Sequence, residues 1–214
     1  MSEHLRRLPV YLLLDCSGSM TGDPIESVRQ GVRALIADLK GDPQALETAY
    51  LSVITFDSNA QQVVPLTELL SFQEPNLQAG GTTAMGAALQ LLDQKLDTEV
   101  RKSTMTQKGD WKPLVFVMTD GQPTDSWEDA ANRIRSKRVG HIIGCAAGAG
   151  ADDTVLKKLT EDVFRLDNLS PDTMKAFFKW VSSSIKTTSQ SVSQGGAGTK
   201  LNLPPPPPQI QIVP

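Results

Sequence analysis

Two short runs of apolar residues constrain the fold of this chain more than any other feature. They extend from Leu8 to Leu14 and from Leu114 to Thr119, and an aspartate follows each one directly, Asp15 and Asp120. Because polar residues do not alternate within them, the runs predict strands that are buried on both faces. Such strands are typical of parallel sheets that carry helices on both sides.

Strand-like and helix-like segments alternate along the rest of the chain. Further strands are predicted at Tyr50–Phe56, at Ala60–Leu66 (a weaker edge strand that Pro65 ends), at Val139–Ala146 and at Val163–Leu166. Amphipathic helices are predicted from Pro24, over 84–100, 126–138 and 152–160, and from Ser170 as N-cap with Pro171 at the first helical position. This order predicts an α/β fold, a doubly wound, mostly parallel central sheet with helices on both faces.

Composition changes sharply near residue 186. We therefore divide the chain into a domain at 1–186 and, at 187–214, a flexible Ser/Gly linker with a Pro-rich tail. The prolines Pro204–Pro208 favour polyproline II, because proline cannot donate to a helix or sheet. The residues after them, Ile210 to Val213, can form a short strand when paired.

Charge and hydropathy exclude several classes of function. The formal net charge is −3, whereas a nucleic-acid binder normally carries a basic excess. The longest apolar runs are strand-sized, so no membrane-spanning segment is expected. The first residues lack the apolar stretch of a signal peptide, and two cysteines are too few for a disulfide framework. These features predict a cytoplasmic protein.

The loop after the first strand carries the chemistry that the sequence reveals most clearly. Asp15, Ser17 and Ser19 present one carboxylate and two hydroxyls at alternate positions of a turn that contains Gly18. Alternate side chains can converge on one point, and this oxygen-only set suits Mg²⁺, with Mn²⁺ as the alternative. As a turn residue bonded to its own backbone, Asp15 would instead be structural.

Two further loops reach the same edge of the predicted sheet, since ligands bind beyond the carboxyl ends of parallel strands. One carries Asp120 and Gly121, and the other, Ala79–Ala84, offers the hydroxyl of Thr82 or of Thr83.

Two other aspartates lie near these loops. Asp57 follows the second strand at the same rim. It either contacts the metal-binding side chains without binding the metal itself or is an ordinary loop residue. Asp125 is expected to cap the helix that starts near Ser126, since aspartate is favoured there.

Together the three loops resemble the von Willebrand factor A domain and its metal-ion-dependent adhesion site. The family pattern is Asp-x-Ser-x-Ser, a distant Thr and a distant Asp. Asp15, Ser17 and Ser19 match the first part and Asp120 matches the last. Thr83 fits the threonine best, with Thr82 as the alternative. The resemblance implies a metal whose open coordination position takes an Asp or Glu from a protein partner.

Within that family the chain is similar to bacterial TerY-like proteins associated with tellurium or stress resistance. The similarity rests on the start Arg7–Asp15, on the segment Thr119–Asp125 and on Phe177–Ile185 before a Pro-rich tail. It implies a cytoplasmic partner of a metal-dependent protein phosphatase and a protein kinase.

An enzyme is the competing class, and the sequence argues against it. The first loop lacks the glycine spacing of a dinucleotide site, and the chain has neither a P-loop nor a nucleophile elbow. A metal-dependent hydrolase and a scaffold that acts partly through the Pro-rich tail stay as alternatives to recognition. Because Asp15 is expected to be a loop residue, Asp15→Ala is predicted to leave the fold largely intact.

Overall fold

The computed structural model describes residues 6–137, 139–148, 150–193 and 203–214. In this part of the chain seven strands form one sheet in the order β3-β2-β1-β4-β5-β6-β7. The strands are β1 Leu8–Asp15, β2 Ala49–Phe56, β3 Ala60–Glu68, β4 Leu114–Thr119, β5 His141–Ala147, β6 Asp162–Leu166 and β7 Ile210–Ile212. The pairs from β2 to β6 are parallel, and the edge strands β3 and β7 are antiparallel to their neighbours.

The helices cover both faces of this sheet, which confirms the predicted fold class. They are α1 Asp23–Lys40, α2 Pro43–Thr48, α3 Met85–Glu99, α4 Glu128–Ser136, α5 Asp153–Leu159 and α6 Pro171–Ser193, with a short 3-10 turn at Gly18–Met20. The core on one face joins the sheet to α1 and α6, and the core on the other face joins it to α3, α4 and α5. Within the described ranges, no helix combines the length and the apolar character that crossing a membrane requires.

Strand β1 lies at the centre and contributes to both cores. All eight of its residues are buried. Leu12 and Leu14 pack in the α1 and α6 core, whereas Tyr11 and Leu13 pack in the opposite one. Because successive side chains of a strand point to opposite faces, an unbroken apolar run is what a strand covered on both sides requires. Each such leucine stabilises the fold by about 1.5–3 kcal/mol.

The edge strand β3 differs from its prediction. Pro65 does not end the strand, which continues to Glu68. The register against β2 shifts on either side of Val53, and Pro65 lies at this irregularity with its ring exposed. Proline is tolerated at edges and bulges because no ladder hydrogen bond needs its missing N–H.

Helix α6 extends beyond the predicted end of the domain. Residues 187–193, expected to belong to a linker, are helical, and Thr188, Ser189 and Val192 are buried. The hydroxyl of Thr188 donates to the carbonyl of Ser184 at 2.7 Å, and that of Ser189 donates to the carbonyl of Gln44 in α2 at 3.1 Å. These hydroxyls suggest a linker by composition, but hydrogen bonds allow them to be buried. The rest of the expected linker, 194–202, lies outside the described residues.

The end of the chain returns to the sheet as strand β7. Ile210 pairs with Leu166 of β6 and is buried, as the alternation of apolar residues with glutamine suggested. Ahead of it, the indole N–H of Trp180 in α6 donates to the carbonyl of Pro204 at 2.8 Å. The Pro-rich segment therefore packs against α6 and leads into the seventh strand.

The two isoleucines of β7 provide a matched test of this packing. Ile210 is 4% exposed and Ile212 is 65% exposed. We expect Ile210→Ala to lower the free energy of unfolding by about 2–5 kcal/mol, because it leaves a cavity in the core. Ile212→Ala should change it by less than about 0.5 kcal/mol. Denaturant unfolding measures both, and equal effects would contradict the docking of β7.

Candidate metal site

The parallel pairing of β1 with β4 brings the two candidate aspartates to one edge of the sheet. Asp15 is the last residue of β1, and Asp120 follows the last residue of β4. Asp15 is buried, and both of its oxygens accept hydrogen bonds. Oδ1 accepts from the backbone N–H of Ser17 at 2.8 Å, and Oδ2 accepts from the hydroxyl of Thr119 at 2.6 Å. The carboxylate is therefore fixed in place by both strand ends.

A chain of side-chain oxygens links the first loop to Asp120. The hydroxyls of Ser17 and Ser19 lie 3.0 Å apart, and that of Ser19 donates to Asp120 Oδ1 at 2.8 Å. Burial raises the pKa of the Asp120 carboxyl, the donated bond from Ser19 lowers it, and the nearby charge of Asp15 raises it again. The net rise means that the ionised form of Asp120 is disfavoured, and a cation beside it would reverse this effect.

Backbone hydrogen bonds hold the Ala79–Ala84 loop against the first loop. The N–H of Gly18 donates to the carbonyl of Gly81 at 3.0 Å, and the N–H of Gly80 donates to the carbonyl of Cys16 at 2.8 Å. Gly81 has φ +73°, and a Cβ there would lie 2.4 Å from the Ser58 hydroxyl oxygen. Only glycine fits this position without strain. Gly18 and Gly81 therefore serve the close approach of two loops.

The two threonines of this loop occupy different environments. Thr83 is buried, and its hydroxyl oxygen lies 3.6 Å from where a Cβ on Gly121 would stand. Its hydroxyl thus faces the Asp120 loop. Thr82 is exposed, and its N–H donates to the hydroxyl of Ser58 at 3.1 Å. Of the two, Thr83 is the one placed beside the other candidate ligands.

Asp57 supports the site through its backbone. Its side chain accepts from the N–H of Asn59 at 2.9 Å within its own turn. Its carbonyl accepts from the N–H of Ala84 at 2.7 Å, directly after Thr83. The side chain of Asp57 therefore bonds only within its own turn among the contacts described, as an ordinary loop carboxylate does. Its main chain holds the Ala79–Ala84 loop, called the threonine loop below.

The expectation for Asp125 is wrong. Helix α4 starts at Glu128, and Asp125 does not cap it. Instead its two oxygens accept from the N–H groups of Gly86 and Ala87 in α3, each at 2.8 Å. Thr119, whose hydroxyl fixes Asp15, was not among the predicted site residues. The available signal for Asp125 was that Ala84, the N-cap residue of α3, has no side chain that could cap the helix.

The donors at this edge of the sheet are carboxylate and hydroxyl oxygens. Among the described residues, no group of three or more His, Cys, Asp or Glu side chains could hold a metal. Burial raises the pKa of the Cys16 thiol to about 12, so a thiolate is disfavoured within the loop. Oxygen donors of this kind fit Mg²⁺ or Mn²⁺.

The position of Asp15 changes the expected result of removing it. Asp15→Ala would leave the Ser17 N–H and the Thr119 hydroxyl without their acceptor, at about 1–3 kcal/mol for each buried group. We expect a clear loss of stability rather than an intact fold. Asp15→Asn retains an oxygen for Ser17 and an amide that can donate to Thr119, so it should lose less. Denaturant unfolding with chelator present compares them, and equal losses would contradict this account.

Comparison with known proteins identifies the family. The model of the von Willebrand factor type A domain matches residues 10–179. An uncharacterized protein of Synechocystis, sll0103, is 35% identical over 127 residues, which are 56% of this chain and 27% of that protein.

Three solved structures have a similar fold. The von Willebrand factor type A protein from Catenulispora acidiphila has a TM-score of 0.65 at 20% identity, over 86% of this chain and 43% of that one. Proximal thread matrix protein 1 from the mussel byssus, with a zinc-occupied MIDAS motif, has a TM-score of 0.63 at 18% identity, over 85% of this chain and 48% of that one. The pilus adhesin SpaC from Lactobacillus rhamnosus GG has a TM-score of 0.65 at 14% identity, over 86% of this chain and 31% of that one.

The match is therefore to a part of longer proteins, since this chain spans less than half of each of these relatives. The identities to the solved structures establish a shared fold only. The family model, in contrast, covers most of the sequence, including both candidate aspartates, Asp15 and Asp120. This chain belongs to the von Willebrand factor type A domain family.

Proposed function

We propose that this chain is a metal-dependent protein-recognition module that binds a carboxylate of its partner. The observation that carries the proposal is the meeting of three loops at the carboxyl edge of the sheet. Hydrogen bonds join the carboxylates and hydroxyls of the first loop to Thr119 and Asp120. The buried Thr83 of the third loop faces Gly121 beside them. The proposed metal ligands are Asp15, Ser17, Ser19, Thr83 and Asp120.

The donor set supports Mg²⁺ as the metal, with Mn²⁺ as the alternative. Mg²⁺ prefers oxygen ligands and keeps several waters, so an incomplete protein shell suits it. The mussel byssus protein has zinc in its MIDAS motif, so divalent ions other than Mg²⁺ occupy such a motif in that protein. When bound, the cation would supply positive charge at the exposed side of the loops.

An incomplete set of protein ligands supports a carboxylate as the group that is recognised. Asp15 and Asp120 are the two charged members of the set, and Ser17, Ser19 and Thr83 are neutral. Asp15 is also buried beneath the loop, with both oxygens engaged by hydrogen bonds. The five proposed ligands leave at least one of the six positions around an octahedral Mg²⁺ open, and an oxygen from an exposed Asp or Glu of a partner would fill it.

Recognition is a better account of these residues than catalysis. The site side chains donate to and accept from one another. His141 starts β5 and therefore lies at the opposite edge of the sheet. A general acid or base near the loops would be needed for the hydrolase alternative.

The partner class rests on the resemblance to TerY-like proteins. On that basis we propose a metal-dependent protein phosphatase and a protein kinase as cytoplasmic partners in tellurium or stress resistance. The Pro-rich segment packs on α6 through Pro204, which leaves Pro205 and Pro208 exposed for a scaffolding role.

The adjacent threonines allow a matched test of the metal site. Thr83→Val keeps the shape of the side chain and removes its oxygen, while Thr82→Val makes the same change at an exposed neighbour. We expect the unmodified chain to bind Mg²⁺ or Mn²⁺ in calorimetry. Thr83→Val should weaken that binding by about tenfold or more. Tenfold is the smallest loss that is typical when a residue supporting a metal ligand is removed. Equal affinity of the two variants would contradict the assignment of Thr83.

Partner recognition is tested with the same variants as bait. The chain is incubated with host lysate in millimolar Mg²⁺ and, separately, with excess chelator. We expect a protein that is retained with Mg²⁺ by the unmodified chain and by Thr82→Val, but lost with chelator and with Thr83→Val. Retention of the same proteins under all four conditions would show that recognition does not use the metal site.

A further inference from the structure

Helix α3, which follows the threonine loop, takes its cap from another part of the chain. Its N-cap residue, Ala84, has no side chain able to accept a hydrogen bond. The first amides of a helix lack partners within it, so they need acceptors from elsewhere. Asp125 supplies acceptors for two of these amides. One of its carboxylate oxygens accepts from the N–H of Gly86 and the other from the N–H of Ala87, each at 2.8 Å.

Thr124 makes a second connection between the same two segments. Its backbone N–H donates to the carbonyl of Thr83 at 2.9 Å. Its hydroxyl oxygen accepts from the N–H of Thr83 at 3.2 Å. Four hydrogen bonds therefore join Thr124 and Asp125 to Thr83 and the start of α3, and two of them hold the main chain of Thr83 itself.

The two segments also contact each other directly. A Cβ on Gly86 would lie 2.2 Å from the backbone oxygen of Ser126 and 2.9 Å from a carboxylate oxygen of Asp125. No side chain fits between the backbones at this point. The separation between α3 and the loop after β4 is thus set by backbone contact as well as by hydrogen bonds.

We propose that Thr124 and Asp125 are positioning residues that hold the Thr83 hydroxyl in register with Asp120. This inference rests on the proposed function and deepens it. Asp120 and Asp125 belong to one loop, so that loop carries a metal ligand at one end and the anchor of the threonine loop at the other. Movement of either loop relative to the other would change the distance between two metal ligands.

A simpler explanation is that Asp125 only stabilises α3. Loss of an N-cap lowers stability whether or not a functional site is nearby. The two explanations differ in metal affinity. Removing a residue that orients metal ligands typically weakens metal binding 10–100-fold, whereas a cap without that role leaves the affinity of the folded protein unchanged.

Asp42 provides the matched control. It is the N-cap of α2, accepts from Ala45 N–H at 2.8 Å, and precedes the start of β2 at the opposite edge of the sheet. We expect Asp125→Ala and Asp42→Ala to lower Tm by similar amounts, about 2–4 °C per lost cap. In Mn²⁺ calorimetry well below Tm, only Asp125→Ala should weaken binding, by about 10–100-fold.

Thr124 gives a second test that does not depend on the cap. Thr124→Val removes the oxygen that accepts from Thr83, and Thr124→Ser retains it. We expect the valine variant to bind Mn²⁺ less tightly and the serine variant to match the unmodified chain. Because Thr124 is exposed, both variants should fold, so this pair decides the question if Asp125→Ala does not fold.

The outcomes separate this inference from the proposed function. If the unmodified chain binds Mn²⁺ and all of these variants bind it equally, the positioning role is overturned and the metal site stands. If Asp42→Ala weakens binding as much as Asp125→Ala, the effect follows general stability, which also overturns the inference. If the unmodified chain does not bind Mg²⁺ or Mn²⁺, the proposed function itself is overturned, and this inference with it.

Discussion

The parallel pairing of β1 with β4 is the constraint on which the rest of this structure depends. It aligns Leu14 with Met118, so two buried strands end together and bring Asp15 and Asp120 to one edge of the sheet. The bond from Thr119 to Asp15 then fixes the carboxylate across this pair. Burial of the strands contributes free energy of folding, and their polar ends form the proposed metal site, so a single pairing serves both.

Much of the fold could be predicted because its signals are local. A continuous apolar run identifies a strand covered on both faces, and helical spacing identifies the covering helices. Helix α2 was missed because Pro43–Thr48 is too short to show a helical period. The end of α6 was missed because Thr188 and Ser189 satisfy their hydroxyls through contacts that composition does not reveal.

The candidate site shows the same division. Asp15, Ser17 and Ser19 are close together in the sequence, so spacing alone could place them at the same end of β1. Asp125 was assigned to the wrong helix because local preference favours capping of the helix that follows. The amides that it accepts from belong to α3, nearly forty positions earlier in the sequence. Whether Thr82 or Thr83 faces the site depends on the path of a loop that carries no periodic signal.

The return of β7 to the sheet has a consequence for self-association. An unpaired sheet edge is a template on which another molecule can add a strand. Here β6 is covered by a strand of only three residues that a run of prolines precedes, and the opposite edge strand, β3, carries Pro65 at an irregularity. Both margins of the sheet thus interrupt the hydrogen-bond ladder, which disfavours its growth into fibrils.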